Sequence, residues 1–427
     1  MSTPSAKIVA SPAPIAILSN RWSQLVLGLV CMMAISSPQY VWALLTQPMT
    51  AAFGVKLSQL QITFSLLIVF QTFLSPFQGY LIDRFGPRLL LSSGAVLTGM
   101  SWVLASRVTD ITNLYLTYGV LGGIGTGVIY VGIVGHMVQW FPDRRGFATG
   151  MVAAGYGIGA VLTTFPIKND ISALGYQRTL LQFGVLFGAV ALLAAQGMRR
   201  PPEDRVSSPL EKMARPHDRG PAEMLRTPVF WLMFLMFALM STSGLMALSQ
   251  MGAFAKDFGV ANAIVFGMAA LPLALTLDRL TNGLTRPFFG WISDRIGREN
   301  TMLLAFGFEG IAMTLWLLNR GNPIAFVLLS GVAFFGWGEI FSLFPSTLTD
   351  TFGKLHATTN YGFLYMAQGI GSILGGPLAA RLHESTGSWP TVFAVVITLD
   401  FTTALLAIAA LKPMRARLLA RLSAAQA

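Results

Sequence analysis

Runs of about 20 apolar residues recur from one end of this chain to the other, each broken by a short polar stretch. A bilayer core is about 30 Å thick, and a helix needs about 20 such residues to cross it. Of the 427 residues, 54% are hydrophobic and only 11% charged. A soluble domain would carry about 25% charged residues. The chain therefore reads as an integral membrane protein, and soluble classes are set aside.

The pattern predicts twelve helices, at about 22–45, 57–80, 88–107, 112–138, 146–168, 177–198, 228–251, 263–290, 300–319, 323–345, 359–382 and 389–411. The expected fold is an all-α membrane protein with twelve transmembrane helices in two pseudo-symmetric six-helix bundles. Its parts are a cytoplasmic N-terminal tail (1–21), a first bundle (22–198), a cytoplasmic linker (199–227), a second bundle (228–411) and a cytoplasmic C-terminal tail (412–427). The start of the chain lacks the charged, apolar and small-residue sequence of a cleavable signal, so the first span is expected to be retained.

The net charge of +11 would suggest nucleic acid in a soluble chain. Here the basic residues mark one membrane face. Of the 29 Lys and Arg, 20 fall in the tails, the linker and the turns on their side. The opposite turns hold Lys56, Arg107, Lys168, Arg178, Lys256, Arg320 and Arg381. The positive-inside rule places both termini in the cytoplasm. The single cysteine, Cys31, excludes an internal disulfide or a cysteine-based metal site.

The halves repeat. S-P-F-Q-G-Y-L-I-D-R-F-G (75–86) aligns with R-P-F-F-G-W-I-S-D-R-I-G (286–297), and Y-G-I-G (156–159) with Q-G-I-G (368–371). Two parallel six-helix repeats are the pattern of the major facilitator superfamily, whose site lies between the halves near mid-membrane. Arg286 stands where the first half has Ser75, so the expected site is electrically lopsided.

Two cations, Arg279 and Arg286, lie inside the apolar stretch 263–290. An arginine at the centre of a spanning helix costs roughly 2.5–3.5 kcal/mol on insertion scales. Seven residues apart, they share one helix face within about 20° and lie roughly 10 Å apart along the axis. The expected reason to keep them is an anionic cargo. Asp278, Glu309 and Glu339 supply intramembrane carboxylates, as ion-pair partners or as proton carriers.

D-R-F-G-P-R (83–88) and D-R-I-G-R (294–298) resemble the signature loop of the superfamily. Asp83, Arg84, Asp294 and Arg295 are expected to make gating contacts on the cytoplasmic side, the aspartates pairing with a cation or capping the next helix. G-G-I-G-T-G (122–127) sits inside an apolar helix and is read as close packing. His136 is read as structural, and no metal or cofactor site is expected.

A narrower resemblance rests on N-R-W (20–22), Q-Y-V-W (39–42), G-Y-L-I-D-R-F-G-P-R (79–88), W-F-P-D-R-R-G (140–146), A-A-G-Y-G-I-G (153–159), L-R-T-P-V-F-W (225–231), R-P-F-F-G (286–290), F-P-S-T-L-T-D-T-F-G (344–353) and N-Y-G-F (360–363). These are similar to the oxalate/formate antiporter family, whose members exchange small carboxylates and whose relatives carry lactate or pyruvate. The resemblance implies a cavity lined by Gln39, Tyr40, Tyr130, Tyr156, Trp337 and Arg286. A guanidinium offers carboxylate a planar fork, and tyrosine hydroxyls and the Gln amide can donate to its other oxygens.

Two positions depart from the family's oxalate carriers: Gln368 replaces a lysine, and Phe341 a tyrosine. Arg279 is an added cation on nearly the same face as Arg286, and Asn282 is placed to hydrogen-bond a hydroxyl or carbonyl. The implied activity is oxalate:formate antiport by alternating access, in the plasma (inner) membrane, by a monomer and without nucleic acid. The alternative is a proton-coupled lactate or pyruvate symporter.

Overall fold

The computed structural model describes residues 20–55, 57–201 and 218–424. Nearly all of the N-terminal tail, Lys56 and most of the linker lie outside the described residues. In chain order the helices are α1 (Arg21–Ala34), α2 (Ser37–Tyr40), α3 (Trp42–Phe53), α4 (Leu57–Phe73), α5 (Ser75–Phe85), α6 (Pro87–Ala105), α7 (Ile111–Trp140), α8 (Arg145–Leu174), α9 (Tyr176–Gln196), α10 (Pro221–Leu225), α11 (Pro228–Asp257), α12 (Ala270–Ile296), α13 (Arg298–Leu318), α14 (Pro323–Trp337), α15 (Ile340–Phe352), α16 (Ala357–Thr386) and α17 (Trp389–Leu406).

Several expected single helices are broken. The first span bends by 50° after α2, between Tyr40 and Leu44, and the second by 46° between α4 and α5. Ser75–Pro76 and Ser37–Pro38 stand at the starts of α5 and α2. Proline at a helix start lacks only an N–H that would be orphaned there, but it stops the preceding helix from running through. The tenth span breaks at Gly338–Glu339, between α14 and α15.

The expected helix start at 263 is also wrong. Ile264–Val265 (β1) and Met268–Ala269 (β2) form an antiparallel hairpin instead. Phe266 and Gly267 at its tip both take positive φ, 50° and 81°, as a type I′ turn requires. Beyond residue 411 the expected tail continues as helix through Ala424, held by Arg415 donating to Glu299 Oε1 at 2.7 Å and to Thr351 Oγ1 at 2.7 Å.

Among the described residues, eight helices are long and apolar enough to cross a membrane, and ten if each bent pair counts as one span. The two expected spans outside that count are α12 and α16. They are the ones that carry Arg279, Arg286 and Asp278, or Asn360 and Gln368. Their polar faces point inward: Asp278, Asn282, Arg286, Asn360 and Gln368 are buried, whereas Leu280, Leu284, Phe288 and Ile373 are exposed on the outside.

The halves meet through pseudo-symmetric close approaches. A methyl on Gly150 of α8 would overlap the backbone at Arg286–Pro287 of α12, and one on Gly362 of α16 would overlap Ser75–Pro76 of α5. The four positions are related by the sequence repeat. Gly125 and Gly127 in the 122–127 run likewise bring α7 against α6 and α4, with added methyls 2.6 Å from Thr98 N and 2.7 Å from Gln71 O. His136 is buried, with its Nε2 3.2 Å from Gln24 Oε1.

Candidate functional site

Arg286 lies between the halves and is 2% exposed. Its Nη1 donates to Ala153 O across the interface at 2.6 Å, and its Nη2 to Asn282 Oδ1 one turn earlier at 2.8 Å. Its guanidinium lies 4.6 Å from the centroid of the Phe341 ring. The phenylalanine that replaces the family's tyrosine therefore still meets the cation, through its ring. Nε has no acceptor. Among the described residues no carboxylate pairs with Arg286 within 4 Å, so the alternative of a fixed Arg286–Glu339 pair is not realised.

The surrounding wall is aromatic and comes from both halves. Tyr156 packs edge-on against Tyr40 (5.3 Å) and Tyr130 (5.4 Å), and Tyr130 stacks on Tyr365 at 4.8 Å. Phe341 bridges Tyr130 to Trp337. The break between α1 and α3 puts Gln39 and Tyr40 at the end of a short turn. There Gln39 Oε1 accepts from Tyr156 Oη at 2.7 Å, and Gln71 Nε2 donates to the same hydroxyl at 3.4 Å. Apolar walls of this kind lower the local dielectric and strengthen any ion pair formed inside.

Trp337 packs over Gly244, and its indole Nε1 donates to Met240 O at 2.8 Å. Its donor is therefore used within the fold, and only its ring faces the site. Gln368 Oε1 accepts from Ser241 Oγ at 2.6 Å. Arg279 is half-buried and has neither a hydrogen bond nor an ion pair within 4 Å among the described residues. It lines a small cavity of about 40 Å³ with Tyr40, Asp278, Asn282, Phe334 and Trp337.

The expected ion pairs of the intramembrane carboxylates are absent among the described residues. Asp278, Glu309 and Glu339 are buried, and none of their six oxygens has a hydrogen-bond partner. A fourth carboxylate, Asp400, was missed. It is fully buried in α17 and accepts from Ser243 Oγ. Tyr361 and Tyr365 were also missed. Their spacing from Gln368 (i, i+4, i+7) is the face signal that would have found them.

The contacts of the two repeated loops lie at the end of the molecule where the linker joins the halves. Asp83 Oδ2 accepts from Thr359 N at 2.8 Å and Thr359 Oγ1 at 2.7 Å, at the start of α16. Asp294 accepts from Gly146 N and Phe147 N, both at 3.0 Å, at the start of α8. Each aspartate thus caps a helix of the opposite half, not the next helix in its own. An anion at a helix N-terminus meets both orphan N–H groups and the positive end of the dipole. Arg84 and Arg295 do not cross the interface. Arg84 donates to Tyr80 Oη at 2.8 Å, and Arg295 stacks 3.8 Å over Trp291, each within its own helix. The bridging cation is Arg145, which binds Asp350 of the other half, while Arg298 holds Asp350 and Asp294 (2.5 Å) from within their own half.

Residues 25–277 and 269–426 match the Major Facilitator Superfamily. The chain is 34% identical over 387 residues to an oxalate:formate antiporter of Oxalobacter formigenes, covering 90% of each chain. It is 25% identical to Monocarboxylate transporter 13 of Bos taurus, covering 81% of this chain and 78% of that one. The proton:xylose symporter XylE superposes with a TM-score of 0.72 at 12% identity, covering 92% of this chain and 96% of that one. The outward conformation of FucP gives 0.65 at 15% identity, covering 90% and 98%. Both structures share the fold. The chain is a multi-pass membrane transporter of the major facilitator superfamily and belongs, within it, to the oxalate/formate antiporter family.

Proposed function

We propose that this protein exchanges small carboxylates, oxalate against formate, by alternating access of its two halves. The observation that carries the reading is Arg286: a permanent cation, 2% exposed, boxed by aromatic rings, and with no carboxylate partner among the described residues. Burying an unpaired charge is costly by several kcal/mol even after relaxation. A bound carboxylate neutralises it and supplies an acceptor for Nε. The liganded carrier then passes through the closed state more readily than the empty one, which favours obligatory exchange.

The excess of basic residues at the end holding the termini supports a cytoplasmic location for that end, in the plasma (inner) membrane. The protein is read as a working monomer, since the site is assembled from one chain. Counterflow in proteoliposomes tests the function. Vesicles loaded with formate or oxalate should draw in labelled oxalate, and vesicles loaded with neutral sugar should not.

A second reading is favoured by the buried carboxyls of Asp278, Glu309 and Glu339, whose oxygens make no hydrogen bond. A proton on one of them would make the protein a proton-coupled monocarboxylate symporter. Lactate or pyruvate uptake driven by a pH gradient alone, without internal anion, distinguishes that case.

A further inference from the structure

We propose that Arg415, in the helix that follows the last span, is a positioning residue for the contacts between the halves. It keeps Glu299 off Arg298, and so leaves Arg298 free to hold the two carboxylates that reach the first half. The inference goes beyond the exchange reading and does not depend on it.

That helix, α18 (Lys412–Ala424), continues α17 through a short π-helical stretch, Ala407–Leu411. Its first turn grips the ends of two other spans. Arg415 Nη1 donates to Glu299 Oε1 and its Nε to Thr351 Oγ1, both at 2.7 Å. Lys412 Nζ donates to Asn300 Oδ1 at 2.9 Å. Glu299 follows Arg298 at the start of α13, and Thr351 follows Asp350 near the end of α15. Arg415 therefore touches the chain neighbour of each member of the Arg298–Asp350 pair.

Arg298 has three partners of its own. Its Nε donates to Asp350 Oδ2 at 2.8 Å, and its Nη1 to Asp294 Oδ1 and Ser293 Oγ, both at 2.5 Å. Asp350 takes Arg145 on its other oxygen, and Asp294 takes the amides of Gly146 and Phe147. Those last three residues all lie in the first half. One guanidinium thus aligns both carboxylates that cross.

The charges balance only with the tail in place. Arg145, Arg298 and Arg415 face Asp294, Asp350 and Glu299. The Glu299 side chain is 10% exposed, so bulk water does not replace a lost partner. A buried carboxylate left unpaired costs more than the bond it loses. Without Arg415, Glu299 turns to the next guanidinium along the chain, that of Arg298, and competes there with Asp350 and Asp294. The halves then lose their alignment, although neither bond of Arg415 itself crosses between them.

The test reads the closed interface directly. Ser346 is buried on α15, 3.3 Å from Thr149 of the other half. Ser346→Cys provides a thiol that an aqueous alkylating reagent reaches only when the halves part, and Cys31 is buried. In the purified protein carrying that reporter, Arg415→Gln should raise the alkylation rate about tenfold. Glu299→Gln removes the competitor and should leave the rate within about twofold of the parent. Combining the two restores neutrality and should also return the rate to within about twofold, although the tail has then lost its ion pair. Arg415→Lys keeps the charge without the fork and should raise the rate no more than about threefold. An unchanged rate in Arg415→Gln would overturn the inference. So would a combined variant as reactive as Arg415→Gln, which would make Arg415 a simple tether. If Arg415→Gln does not assemble, the combined variant decides: assembly with the parent rate supports the inference, and a raised rate or failed assembly overturns it. No transport is measured, so loss of the exchange reading leaves this result standing.

Discussion

Replacing Arg286 by glutamine removes the charge and keeps a side chain that can still donate to Ala153 O. In the closed site the guanidinium makes two charged hydrogen bonds and one ring contact. These hold it ready for a carboxylate without neutralising it. Truncating one partner of a buried, hydrogen-bonded charge pair costs about 2–5 kcal/mol. At about 1.4 kcal/mol per factor of ten, kcat/KM for oxalate exchange should fall about 30-fold to 3,000-fold. Arg286→Lys keeps the charge and loses the fork, so it should fall between the two. The same change relieves the empty protein of an unpaired buried cation, so Arg286→Gln should be at least as heat-stable as the parent in detergent. Its melting temperature should no longer rise with added oxalate. The assay is labelled oxalate uptake into oxalate-loaded proteoliposomes at matched protein content. Exchange within threefold of the parent would refute the electrostatic argument.

Gly150→Ala and Gly362→Ala each place a methyl against backbone of the other half. Both should slow exchange by at least tenfold, and by similar factors, in the same vesicle assay. Asp294→Asn weakens two cross-half caps, each a charge-assisted bond worth about 1.5–3 kcal/mol. It should raise the rate at which a cysteine introduced at the linker end is alkylated by at least tenfold. Cys31, the native thiol, is buried and gives a low background. Tyr156→Phe removes the hydroxyl that donates to Gln39, and the oxalate KM should rise about fivefold with little change in maximal rate. Unchanged values in any of these would remove that residue from the account.

Much of the architecture was legible because apolar run length and repeat identity are local signals. Arg286 stood out for the same reason: a charge in a greasy run has few explanations. The breaks at 35–36, 74 and 338–339 were less visible. Serine–proline pairs mark the first two, but the tenth span turns at Gly338, where α12 packs too close for a side chain, with an added methyl 2.5 Å from Asn282 O. That is a tertiary cause. The gate shows the same limit. Sequence named Asp83 and Asp294, but their cross-half partners are mostly backbone amides, of Thr359, Gly146 and Phe147, which carry no side-chain signature. Arg84 and Arg295 drew notice by standing next to them, whereas Arg145 makes the crossing to Asp350, which Arg298 steadies from its own half. The 263–269 hairpin was hidden because a short apolar strand looks like the start of the helix that follows.

The polarity of α12 has a further bearing on how the protein is made. Its two inward arginines and Asp278 each weigh about +2.5 to +3.5 kcal/mol against insertion at mid-membrane, so this span is a poor candidate to leave the translocon alone. Its inward face is covered in part by α8, which is synthesised earlier. The first half is therefore expected to offer the second a polar surface to insert against. Severed at the linker, the C-terminal fragment would depend on co-expression of the N-terminal one to enter the bilayer at all.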